Sequence, residues 1–128
     1  MENNTKIKDE IFFELKKFAN WMAAYYFSPV YLIGSSLITE NFRDVDIIVC
    51  MDEVLFEMRF GSVEEFLNAL NGLPTTKVFW KVVEENMKRY KESNNSTKLN
   101  IDFKILPKNF FLENFKVERI KLDESNFI

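Results

Sequence analysis

The chain has 128 residues, 47% hydrophobic and 29% charged, with three Gly, three Pro and one Cys. That length suits one domain over residues 1–128 and buries roughly two-thirds of the unfolded surface, enough for a core without disulfides or structural metal. Disordered and fibrous classes are excluded by the same composition. Seventeen basic against twenty acidic residues give a formal charge of −3, so no global positive field exists for non-specific nucleic-acid binding. The absence of His removes the commonest general base, the usual zinc ligand and the Ser-His and Cys-His nucleophile pairs.

In chain order, Ile7, Ile11, Leu15, Phe18, Met22 and Tyr25 recur at spacings of three and four, which predicts an amphipathic helix over Lys6–Tyr26. Ser28 and Pro29 end it. Val30–Ile33 is a short apolar run bounded by Gly34 and reads as a buried strand. The turn Gly34-Ser35-Ser36 and a polar connection through Arg43 lead to a second β-branched run, Val45–Cys50. Residues 52–60 are ambiguous between helix and strand and are read as a short helix. Ser62 and Glu65 have the spacing of a capping box, which predicts a helix to about Leu70 stopped by Gly72 and Pro74. Thr76 caps a further helix, Lys77 to about Tyr90, with Phe79, Val82, Val83, Met87 and Tyr90 as its apolar stripe. Ser93–Lys98 is a polar break.

From Leu99 to Leu106 the pattern alternates. Leu99, Ile101, Phe103 and Ile105 point one way and Asn100, Asp102 and Lys104 the other, a strand with one wet face. Pro107 closes it. The Phe-rich tail (Phe110, Phe111, Leu112, Phe115) is expected to add a final helix or edge packing before a frayed acidic end. The order α-β-β-α-α-β-tail predicts an α/β (α+β) fold, a small mixed sheet with helices packed on one face.

The lone Cys50 can form no internal disulfide and reads as a small core residue in a reducing compartment. A polar N-terminus and the lack of an apolar run near the roughly 18–20 residues of a membrane span give the expectation of a cytoplasmic protein with no membrane contact. Trp21, Tyr25 and Tyr26 read as core packing, and the Lys88, Arg89, Lys91, Lys98 cluster as a solvated helix end.

The chemistry concentrates on carboxylates. Asp44 and Asp46 are two apart at the start of a strand, so both face one side, roughly 6–7 Å apart along the backbone. Asp102 would stand beside them if its strand pairs with theirs. Such a cluster is comfortable only around a cation, and oxygen-only ligands favour Mg²⁺ or Mn²⁺ over zinc. Gly34, Ser35 and Ser36, following a buried strand, have the backbone N–H groups and hydroxyls to cradle phosphate, or alternatively only cap the connector. Arg43 is either an ordinary partner of Asp44 or Glu40, or a planar fork for phosphate oxygens. Lys104, on the face of Asp102, is another candidate for phosphate contact.

This arrangement resembles the nucleotidyltransferase superfamily related to DNA polymerase β: Ile33-Gly34-Ser35, then Asp44-Val45-Asp46-Ile47, then Ile101-Asp102-Phe103. The strings YLIGSS, RDVDII and LNIDFKI are similar to those of small single-domain members, and the resemblance covers about residues 30–106. It implies two Mg²⁺ ions bridged by Asp44 and Asp46, with Asp102 completing one site and helping to activate the attacking hydroxyl. It implies in-line transfer of a nucleoside monophosphate from a nucleoside triphosphate such as ATP to a hydroxyl acceptor. Under that resemblance Arg43 would meet the triphosphate and Lys104 the departing pyrophosphate. The eight positions from Ser36 to Arg43 are fewer than is usual in the family, so the helix after the Gly-Ser turn is expected to be truncated. The acceptor is open. So is a non-enzymatic alternative, a nucleotide-binding or partner-binding module such as the nucleotidyltransferase half of a toxin–antitoxin pair, with a protein partner.

Overall fold

Four strands form one mixed sheet in the order β3-β2-β1-β4, with β1 at Val30–Ile33, β2 at Val45–Met51, β3 at Ile101–Pro107 and β4 at Arg119–Lys121. The computed structural model describes residues 3–42, 44–71, 80–86, 88 and 101–127. β1 runs antiparallel to β2 and to β4, whereas β2 and β3 are parallel. The β-branched run in β2 is buried at every position but Asp46, as expected of a central strand covered on both faces. In β3 the expected alternation holds, with Ile101, Phe103 and Ile105 buried and Asp102 and Lys104 half-exposed. Leu99 and Asn100 lie outside the described residues, as do Gly72, Pro74, Thr76 and the 93–98 break.

The first helix, α1, spans Asp9–Tyr26. It begins later than Lys6 because the Lys6 backbone N–H is bonded to Ser36 O at 2.8 Å, which ties the preceding chain across the Gly-Ser turn. Its buried stripe is Phe12, Leu15, Lys16, Ala19, Met22, Ala23 and Tyr26, not the expected set ending in Tyr25. The two alanines allow close approach to the sheet, whereas Trp21 and Tyr25, expected in the core, are exposed. Trp21 stacks on Tyr25 at 5.4 Å, and the Arg59 guanidinium lies 4.5 Å from the Tyr25 and Tyr26 ring centroids. Tyr26 is buried yet keeps its polar end satisfied, its hydroxyl donating to Glu85 Oε2 at 2.6 Å.

Two short helices, α2 (Glu53–Phe60) and α3 (Val63–Leu70), follow β2. Asp52 caps the first by accepting the Val54 N–H at 2.9 Å, which resolves the ambiguity at 52–60. Ser62 accepts the Glu65 N–H at 3.3 Å, the Ser half of the anticipated capping box. A helical stretch over 80–86 (α4) buries Val82, and its Asn86 side chain accepts the Ile105 N–H from β3 at 2.9 Å. Helix α5, Lys108–Asn114, starts at Pro107. Phe56, Phe66 and Phe110 form a chain of edge contacts that joins α2, α3 and α5.

Directly paired residues lie on one side of a sheet. One face therefore carries Val30, Leu32, Ile47, Val49, Ile101 and Phe103, and α1 packs behind it, with Phe18 edge-on to Phe103 at 6.1 Å. The expectation of helices behind one face holds for α1. On the other face, α5 is seated at one end by Phe111, which stacks on Tyr31 at 5.7 Å. That face stays half-exposed at Asp46 and Asp102.

The tail departs from expectation. It returns as β4 beside β1 instead of fraying, and Leu122 and Asp123 are buried. Asp123 accepts the Val30 N–H at 2.8 Å and pairs with Lys121 at 3.3 Å, and Lys16 reaches Glu124 at 2.9 Å. An acidic composition looks solvated in sequence; here it satisfies a buried backbone donor and a buried lysine. Among the described residues no helix is long and apolar enough to cross a membrane.

Candidate functional site

One row of cross-strand neighbours defines the site. Arg119 in β4 pairs with Ile33 in β1, Ile33 pairs with Asp46 in β2, and Asp46 pairs with Asp102 in β3. All four positions share the face that α1 does not cover. The expected side-by-side placement of Asp46 and Asp102 is thus present, and it arises because β2 and β3 are parallel and start in register.

Gly34 follows Ile33 at the turn. Its φ is 92°, a left-handed value costly for any side chain, and a Cβ there would overlap Asp46 Oδ2 and lie 3.2 Å from its Cγ. The Asp46 carboxyl therefore rests against the bare Gly34 backbone. The turn continues into a 3₁₀ helix of one turn, Ser35–Leu37, matching the truncated helix anticipated from the short spacer. The N–H groups of Ile38 and Thr39 both reach Ser35 O, at 3.0 and 2.9 Å. Gly34 and Ser35 are exposed. Ser36 is fully buried, and its hydroxyl has no hydrogen-bond partner among the described residues. It caps nothing.

Asp44 lies one residue ahead of β2 and is exposed at the mouth of the site. Arg43 lies outside the described residues. Lys104 is two positions beyond Asp102 on the same face and donates to Asp102 Oδ2 at 2.6 Å. The Asp46 carboxyl is pushed above its ordinary value. Burial is the largest cause, then the charge of Asp102, with a carboxyl–carboxyl hydrogen bond to Asp102 and the charge of Asp44 adding to it. Lys104 pulls the other way. Asp46 thus sits where negative charge is poorly compensated by the protein itself.

Among the described residues no three His, Cys, Asp or Glu side chains converge as a ready cation site. The donor chemistry of the Asp46–Asp102 pair nonetheless fits a hard divalent cation: two carboxylates held side by side, one of them under-compensated. Asp44 is near enough to act on Asp46 by charge but is not gathered into the pair.

Arg119 went unnoticed in the sequence. The signal was the short alternation Arg119-Ile120-Lys121-Leu122, polar then apolar, which marks a half-buried strand but was hidden inside the acidic tail. Its guanidinium lies 5.3 Å from the Tyr31 ring centroid and 5.6 Å from that of Phe111.

Comparison with protein-family models, curated proteins and solved structures finds no match. The functional reading therefore rests on these residues and their placement.

Proposed function

We propose that the chain is a nucleotidyltransferase dependent on Mg²⁺ or Mn²⁺, transferring a nucleoside monophosphate from a nucleoside triphosphate such as ATP to a hydroxyl acceptor in the cytoplasm. The observation that carries this reading is the register of Asp46 against Asp102 with the bare backbone of Gly34 beneath the Asp46 carboxyl. Carboxylates at a turn that admits close approach suit phosphoryl transfer, in which positioning and charge neutralisation do most of the work and no imidazole is required.

Asp46 and Asp102, with Asp44 at the mouth, would hold the cation. Bound there, it would neutralise charge on the transferring group and lower the pKa of an acceptor hydroxyl. The protein's own contribution is separate. Gly34 lets the Asp46 carboxyl sit against bare backbone at the strand end, and the exposed Ser35 offers a hydroxyl at the same edge. Lys104 supplies an ammonium beside Asp102 that would turn from it to a departing pyrophosphate once a cation occupies the carboxylates.

The test is turnover of α-phosphate-labelled triphosphates by the isolated chain with Mg²⁺. Transfer of label, reduced by at least about a hundredfold in Asp46→Asn, is the expected result. A chain that turns over none of the four common ribonucleotides with either cation contradicts the reading.

A second reading, nucleotide or partner binding without turnover, has one observation in its favour: Lys104 already neutralises Asp102 at 2.6 Å, as a cation would. Metal-independent nucleotide binding that survives Asp46→Asn, with no turnover, would support it. A second polypeptide copurifying from the native host would point to its partner-binding form.

A further inference from the structure

We infer that Arg119 is a polyphosphate clamp, positioned by the sheet to take the end of a phosphate chain whose other end lies at Asp46. The inference rests on the nucleotidyl-transfer reading for the identity of its ligand; the placement of Arg119 does not.

Arg119, Ile33 and Asp46 are consecutive cross-strand partners on the open face, so two inter-strand spacings, about 10 Å, separate the Arg119 and Asp46 backbones. Ile33 between them is buried and apolar, and brings no charge of its own to the row. A chain of two or three phosphates matches a span of this size, its metal-binding end at the carboxylates and its far end within the reach of the Arg119 side chain.

The guanidinium is prepared for this. Tyr31 and Phe111 stack on each other at 5.7 Å, and Arg119 lies against both rings. The aromatic contact and a hydrogen bond to the Tyr31 hydroxyl steady the guanidinium, and its remaining N–H groups are left for bidentate contact with phosphate oxygens. Two neighbouring cations on this face have carboxylate partners. Lys104 pairs with Asp102 at 2.6 Å, and Lys121 pairs with Asp123 at 3.3 Å and donates to Ser125 O. Arg119 has no carboxylate partner among the described residues. In a protein with more acidic than basic residues, an arginine on the same sheet face as a carboxylate pair, two strands from Asp46 and paired with neither carboxylate, is placed for an anion that arrives from outside.

Calorimetric titration of the full chain with inorganic triphosphate, pyrophosphate and orthophosphate, each with and without Mg²⁺, tests the clamp. Arg119→Gln keeps most of the stem against Tyr31 and is expected to weaken triphosphate binding by about tenfold or more. Arg119→Lys, a point charge without the fork, should fall between it and the wild type. Lys116→Gln, which removes one exposed charge in the loop before β4, should change binding by less than about twofold. A melting curve for each variant separates loss of binding from loss of fold. Equal affinity in Arg119→Gln and the wild type, equal weakening by Lys116→Gln, or no triphosphate binding by the wild type overturns the clamp. Orthophosphate binding as tightly as triphosphate overturns its polyphosphate specificity. A separate Mn²⁺ titration followed by electron paramagnetic resonance keeps the parent reading distinct. Arg119-dependent triphosphate binding without any Mn²⁺ binding would uphold the clamp and overturn metal-dependent transfer.

Discussion

Asp46 and Asp102 are directly opposed across the parallel β2–β3 ladder, and burial together with that opposition holds the Asp46 carboxyl above its ordinary range. An acid raised in this way binds more protons folded than unfolded. Stability of the cation-free protein therefore falls as pH rises from the usual Asp range through the raised value, and stays reduced above it. Asp46→Asn removes the charge and is expected to raise the melting temperature at pH 7 in the presence of chelator, with the difference vanishing below about pH 4. Addition of Mg²⁺ should raise the melting temperature of the wild type and leave the variant unchanged. Scanning calorimetry at several pH values checks both statements.

Gly34 gives a second expectation. Its backbone lies at φ 92° and a Cβ would overlap the Asp46 carboxyl. Gly34→Ala is expected to destabilise the fold by about 1–3 kcal/mol through backbone strain and to displace Asp46. Mn²⁺ affinity should fall along with stability, whereas an exposed control such as Ser35→Ala should alter stability by less than about 0.5 kcal/mol. Denaturant unfolding and Mn²⁺ titration on the same samples measure the two effects.

The C-terminal return is a structural element with measurable weight. Asp123 is buried, accepts the Val30 N–H at 2.8 Å and faces Lys121. Asp123→Ala leaves that donor unsatisfied, and a loss of about 2–4 kcal/mol is expected in urea denaturation. A loss below about 0.5 kcal/mol, the usual scale of a surface change, would show that the tail is frayed after all.

Cys50 is buried in β2, and burial pushes its thiol up to about 11. Its native reaction with a thiol reagent at pH 8 is expected to be about a hundredfold slower than in the denaturant-unfolded chain, from thiolate fraction alone. Absorbance of the released chromophore follows the rate, and a native rate equal to the unfolded one would contradict the burial.

The parts of this fold that were legible in the sequence are those where one local rule decides. β1 and β2 are β-branched runs, β3 alternates, and Ser62 carries its own cap. The opposition of Asp46 and Asp102 followed once their two strands were paired. What was not legible depends on contacts distant in sequence. The buried stripe of α1 was assigned to Tyr25 because both tyrosines are equally apolar; only Glu85, 59 residues on, shows why Tyr26 turns inward. β4 escaped because a three-residue strand has too short a period to read, and its pairing with β1 is held by Asp123. Arg119 was lost with it, since its relation to Asp46 exists only through the strand order β3-β2-β1-β4.

The central claim is that Asp46 and Asp102 form a cation-binding pair. Anomalous diffraction from crystals soaked in Mn²⁺ with a non-hydrolysable triphosphate tests it most directly. The expected result is a manganese peak bounded by the Asp46 and Asp102 carboxylates, with the Lys104 ammonium moved off Asp102. Ordered carboxylates with no manganese between them, and Lys104 still paired with Asp102, would contradict it.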